Sequence, residues 1–186
     1  GIYFSHAALL ANAPDAPWEA VQGQMVQLPT DFRVMIANYA LSGYSATGDS
    51  AAPLPYALSL EGYPYFFVRY VSDRNFYEFA GTRLRGPYGY LEYTSEEEQQ
   101  TLMYAYNPVN GRPFRQGLVA RRKPVVVRQI LDLASGQRMP LDQQTVSRLV
   151  SNDPPLLEAV NKLSAQDPEI FGKLRQAIKV LNETLR

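Results

Sequence analysis

The chain has 186 residues, 46% of them hydrophobic, and its 18 basic side chains balance 18 acidic ones to a net charge of zero. That is enough apolar material for one packed domain, and it excludes wholesale disorder and a global field that would recruit nucleic acid or anionic lipid. The absence of cysteine and the presence of one histidine, His6, exclude disulfide frameworks, thiolate nucleophiles and Cys- or multi-His metal centres, so no metal or cofactor is expected; nor does any run reach the roughly 18 apolar residues of a membrane-spanning helix.

Gly1 stands where an initiator Met would, as a trimmed tag leaves it, which points to a removed leader and an exported, periplasmic or cell-surface protein. Residues 1–19 carry a short apolar run, Ala7 to Ala11, followed by Asn12, Pro14, Asp15 and Pro17; this reads as a frayed first helical turn or an arm lying on the body. Trp18, the only tryptophan, is read as a core or staple residue in preference to a ligand platform.

Gln22–Leu28 and Phe32–Leu41 alternate as two strands about a Pro29-Thr30-Asp31 turn. Gly43–Pro55 is small, polar and proline-bounded, hence an exposed loop. Then comes the aromatic centre of the chain, Ala57–Tyr93. Tyr63, Tyr65 and Phe67 alternate with Pro64, Phe66 and Val68, the pattern of a central strand apolar on both faces. The runs Phe76–Ala80 and Tyr88–Tyr93, set off by Ser72–Asn75 and by Gly86-Pro87, would complete a three-stranded antiparallel meander.

Thr94–Gln100 breaks the alternation with Glu96, Glu97 and Glu98, read as a solvated turn, because contiguous carboxylates on a turn point apart into water. Leu102, Tyr104 and Tyr106 resume a strand, Asn107–Gly111 is a hairpin turn, and Phe114–Ala120 and Val125–Leu133 give two more strands. Between these lies the tight basic cluster Arg121, Arg122 and Lys123 before Pro124. Its guanidiniums suit an oxyanion, although a charge run protecting a sheet edge is the preferred reading.

From Ala134 the apolar period changes from 2 to 3.6. Asp142 caps a helix with Val146, Leu149 and Val150 on one face, and Asp153-Pro154-Pro155 starts a second with Leu156, Leu157, Val160 and Leu163. Asp167-Pro168-Glu169 starts a third, whose stripe is Ile170, Leu174, Ile178 and Leu181, widened by Phe171 and Ala177. Strands first and helices last define an α+β fold: an arm (1–19), an antiparallel sheet or sandwich-like body (20–133) and a C-terminal helical segment (134–186) forming one unit with it.

Three chemistries are open to the aromatic region. Arg85-Gly86-Pro87-Tyr88-Gly89-Tyr90 resembles the RNA-stacking strand of the RNA-recognition fold, with Pro87 inserted, and would need Arg83, Arg85, Tyr88 and Tyr90 on one open sheet face. The strand-after-strand order argues against it. Exposed tyrosines beside planar donors suit sugar rings, which makes Tyr63, Tyr65, Tyr70, Arg85, Tyr88 and Tyr90 the candidate ligand-binding residues; the competing reading is a Tyr-rich core with hydroxyls at its rim. A hydrolase would need paired carboxylates, for which Asp73 with Glu78 or Glu61 with Glu92 are available, whereas His6 in an arm makes a Ser-His-Asp relay improbable.

The order Ile130-Leu131-Asp132-Leu133, Ser135-Gly136, Pro140-Leu141 and Leu181-Asn182-Glu183 resembles that of uncharacterised exported proteins of Bacteroidetes-type bacteria over the last third of the chain. The resemblance implies export and carries no known activity or functional residue. The expectation is a non-enzymatic binding or structural module for a glycan or protein partner, ahead of a carboxylate-dependent polysaccharide hydrolase, with nucleic acid the least favoured partner.

Overall fold

A computed structural model describes residues 1–43, 53–106 and 108–185. The strands are β1 (Ile2–Tyr3), β2 (Val21–Leu28), β3 (Arg33–Leu41), β4 (Ala57–Leu60), β5 (Tyr63–Val71), β6 (Phe76–Gly81), β7 (Tyr88–Tyr106), β8 (Pro113–Asp132) and β9 (Arg138–Pro140). The helices are α1 (His6–Leu10), α2 (Gln143–Leu149), α3 (Pro154–Asn161) and α4 (Ile170–Thr184). The fold is α+β, with antiparallel pairing throughout the registered strands.

Six strands form one sheet in the order β1-β4-β5-β6-β3-β2. β5 is central, as its two apolar faces require: Tyr65 and Phe66 are both buried. The 3-10 turns at Pro29–Asp31 and Ser72–Arg74 close the β2–β3 and β5–β6 hairpins where the turn residues stand. Register shifts at Gln22/Gln24 and Phe67/Arg69 mark bulges that add twist, the first admitting Gly23 at φ +125°.

The meander ends after two strands. β6 pairs with β3 on its free edge, from Arg33 opposite Ala80 to Ala37 opposite Phe76, and β7 joins a second sheet, β7-β8-β9. A contact distant in sequence accompanies the diversion. Asn182 of α4, almost fully buried, accepts from the Tyr88 N–H at 2.9 Å and donates to the Tyr88 carbonyl at 2.7 Å, taking the backbone groups that a β6 neighbour would need. Gly86, at φ +139°, passes so close that a Cβ would lie 2.6 Å from Asn182 Cγ.

Two other expectations are corrected. Thr94–Gln100 is not a turn; β7 runs through it, with the three glutamates exposed along the strand. Phe114–Ala120 and Val125–Leu133 are one strand, β8, because Pro124 is exposed on a ribbon where its missing N–H removes little. Residues 1–19 lie against the sheet: β1 pairs with β4, Ile2 and Tyr3 are buried, and Ile2 exchanges backbone hydrogen bonds with Ala16.

Two compact units result. One comprises residues 1–92 and 128–186, the other the β-ribbon 93–127, so the division does not follow the body–helix boundary near 134. The first unit has two cores. One lies on the six-stranded sheet around Val34, Ile36, Leu58, Tyr65 and Phe79, with Trp18 against it and its indole N–H donating to the Ser59 carbonyl at 3.1 Å. The other joins Tyr90 and Ile130 to the helices through Val146, Val150, Val160, Leu174 and Ile178. The helices start as their caps dictate: Asp142 accepts from Thr145 N–H at 2.7 Å and Asp153 from Leu156 N–H at 3.1 Å. Phe171 departs from the expected stripe; it is exposed and lies under the Arg128 guanidinium, 4.5 Å from ring centroid to Cζ.

Candidate functional site

The ring-bearing candidates separate into one group that converges and three residues that do not. Tyr63 and Tyr65 are two apart on β5 and share a face, Tyr63 half-exposed at the strand start and Tyr65 buried behind it. Opposite Tyr65 in register stands Gly81, where a Cβ would sit 3.0 Å from the Tyr65 ring, so the missing side chain makes room for the tyrosine. Beyond Gly81, Thr82–Arg85 runs back past Tyr63. There Arg85 donates to the Tyr63 hydroxyl at 2.8 Å and its guanidinium lies 5.7 Å from the ring centroid.

A second aromatic, Phe32, completes this edge. It follows the Pro29–Asp31 turn in the left-handed region at φ +52°, a conformation that costs a bulky residue about 1–2 kcal/mol. Gly81 N–H donates to its carbonyl at 2.7 Å, which ties the turn to β6. The Arg83 guanidinium lies 5.6 Å from the Phe32 ring and donates to the Asp31 carbonyl at 3.1 Å.

Two adjoining concavities follow, sharing Phe32, Tyr63, Pro64 and Thr82. The smaller, about 240 Å³, is backed by Gln27, Glu61 and Tyr65. The larger, about 770 Å³ and open, is walled by Arg83, Arg85, Gly86 and Leu133. Together they form a groove with aromatic rings on its floor and two cations on one wall.

Arg83 is held from behind. Its Nη1 lies 3.5 Å from Glu92, which also receives Arg128 Nε at 3.0 Å and the Tyr90 hydroxyl. Burial by itself would push the Glu92 carboxyl up, but hydrogen bonds from Tyr90 and Arg128 with the charges of Arg83 and Arg128 outweigh it and hold the pKa below the ordinary value. Burial first, then the hydrogen bond to Glu92, pushes the Tyr90 hydroxyl up to about 12.

The other candidates lie elsewhere. Tyr70, at the far end of β5, donates to Asn75 Oδ1 at 2.9 Å and its ring meets that of Tyr77 at a tilt of 46°, 4.8 Å between centroids. Tyr88 is half-buried and its backbone is held by Asn182, while Tyr90 is buried in the helical core, so the open face that RNA stacking required does not form. Arg121, Arg122 and Lys123 are exposed on the ribbon. Arg122 lies 4.0 Å from Glu96, and Arg121 reaches Met103 Sδ at 3.5 Å. Gly43–Pro55 falls largely outside the described residues.

The carboxylate pairs proposed from sequence also resolve. Glu78 is fully buried on β6 between Arg33 and Arg69, the latter opposite it in register and 2.7 Å away, so it reaches no ligand. Glu92 is engaged by two arginines. Glu61 is exposed and lines the smaller concavity. His6 is not in a relay: its Nε2 meets the Ala134 carbonyl at 3.1 Å, an acceptor only, and its Nδ1 meets the Tyr56 hydroxyl at 3.0 Å, so both nitrogens are used. Ser135 donates directly to Asp132 at 2.8 Å. Among the described residues no group of three or more His, Asp or Glu is placed to hold a metal ion, and no helix is long and apolar enough to cross a membrane.

Sequence reading singled out Tyr63, Tyr65 and Arg85 but missed Phe32 as a groove residue. Its signal was only a bulky residue directly after a Pro-Thr-Asp turn, and the left-handed backbone that aims it was not legible. Comparison with protein-family models, curated proteins and solved structures returned no match.

Proposed function

We propose that the chain is an exported, non-enzymatic binding module that takes an acidic saccharide across the groove of Phe32, Tyr63 and Arg85. The convergence of ring faces and guanidiniums carries this reading. The apolar C–H face of a sugar stacks on Tyr63 and Phe32, and a carboxylate or sulfate on the sugar meets the planar donors of Arg85 and Arg83. Combined, the two concavities suit a few saccharide units. Preorganisation supports it as well: Arg83 is fixed by Glu92 and the Asp31 carbonyl, and Arg85 by Tyr63, so little rotamer freedom is lost on binding. Export rests on the resemblance of the last third of the chain.

A hydrolase reading is weaker because Glu61 is, among the described residues, the one carboxylate lining either concavity, and glycoside hydrolysis ordinarily needs two. The test is a calorimetric titration with matched neutral and uronic-acid oligosaccharides. The expected result is binding of the acidic series alone, weakened roughly tenfold, about 1.4 kcal/mol, by Tyr63→Ala and more by Arg85→Ala. Equal binding of both series, or binding untouched by either substitution, contradicts the proposal.

A further inference from the structure

The ribbon 93–127 carries a pattern that the groove does not use. Its two strands pair with each other, and β9 joins β8 only at Gln129–Leu131, so within 93–127 the described strands have no further strand neighbour. A two-stranded ribbon is marginal in water, and a long exposed strand edge is a template for more chain. Its distal half exposes large apolar side chains, among them Leu102, Met103, Tyr104 and Leu118, with Arg115 the charged residue of that half on β8. Its proximal half is charged with opposite sign on the two strands, Glu96–Glu98 on β7 and Arg121–Lys123 on β8. The Glu96–Arg122 approach places the two runs at the same level of the ribbon.

We propose that this ribbon is the assembly surface of the protein, and that its occupant is the ribbon of a second copy packed side by side, β8 of one chain against β7 of the next. The charge pattern selects this arrangement over the symmetric ones. Translating a ribbon sideways sets β8 antiparallel to the neighbour's β7 at the same level, so Arg121–Lys123 faces Glu96–Glu98 and apolar half faces apolar half. A two-fold pairing of β7 on β7 at full overlap sets Glu96 opposite Met103 and Glu97 opposite Leu102. The same operation on β8 sets Arg122 opposite Leu118 and Arg121 opposite Val119. Both desolvate charge against apolar side chains, which is unfavourable. The like-signed runs thus reject isologous pairing and admit the heterologous one, in which each copy offers two different edges.

The experiment is sedimentation velocity over a concentration series, with a charge-swapped chain as the decisive variant: Glu96, Glu97 and Glu98→Arg together with Arg121, Arg122 and Lys123→Glu. The swap keeps opposite charges facing each other inside each ribbon and reverses the edges. The wild type is expected to grow in mass with concentration, and the swapped chain to do the same. Differently labelled wild-type and swapped chains mixed together are expected to show at least tenfold less energy transfer than two wild-type populations. The wild-type series stands alone should the swap fail to fold. A wild type that sediments at the mass of one chain throughout, or swapped and wild-type chains that mix freely, overturns the proposal.

Discussion

The six-stranded sheet and the ribbon 93–127 are both built of β-strands, yet one is a core and the other is a surface. In the sheet, Val34, Ile36, Phe66 and Phe79 are fully or almost fully buried, and the charged Glu78 is enclosed by two guanidiniums. In the ribbon, side chains as apolar as Leu102, Tyr104 and Leu118 remain exposed. Exposure here follows the number of strand neighbours rather than the alternation: interior strands of the sheet have a partner on each edge, while the ribbon offers its edges outward.

The sharpest way to break the contrast is at Glu78. Glu78→Ala leaves Arg33 and Arg69 facing a buried site without their counter-charge, and a loss of about 3–5 kcal/mol in urea-unfolding stability is expected. Loss of less than 1 kcal/mol would mean that the enclosed ion pairs contribute little to the sheet. Next in size is Asn182→Ala, which removes both hydrogen bonds to Tyr88 and is expected to cost about 1–3 kcal/mol by the same assay.

Acid titration sharpens the role of Glu92. Its folded pKa lies below the ordinary value, so its contribution to stability is present above the unfolded pKa of about 4.3 and is lost as pH falls through the folded value. Glu92→Gln is expected to flatten that part of the stability profile, measured by thermal melts between pH 2 and 6. The smallest effect belongs to the ribbon: Tyr104→Ser should change the stability of the larger unit by no more than about 0.5 kcal/mol, because the ring is exposed on the ribbon.

Much of the fold was legible. The turn residues at Pro29–Asp31 and Ser72–Arg74, the aspartate caps at Asp142 and Asp153, and the apolar stripe of α4 are local signals, and the elements stand where those signals put them. What failed was non-local. Whether Tyr88 pairs with β6 or with α4 is decided by Asn182, 94 residues away in sequence, and an asparagine in a helix gives no sign of its partner. Glutamates at 96–98 read as a turn because strands seldom carry three charges in a row, a rule that fails on a ribbon exposed to water. The groove was half legible for the same reason. Tyr63 and Tyr65 follow from β5 itself, whereas Phe32 and Arg83 reach it from the turn before β3 and the segment after β6.

The claim that the larger unit is complete in itself while the ribbon awaits a copy of itself is tested most directly by hydrogen exchange at two protein concentrations far apart. Amides of β3, β5 and β6 are expected to show the same protection at both. Amides along Tyr93–Tyr106 and Pro113–Val127 are expected to exchange quickly in dilute solution and to gain at least tenfold protection when concentrated. Ribbon amides as slow as those of β5 and unchanged by dilution would contradict the account.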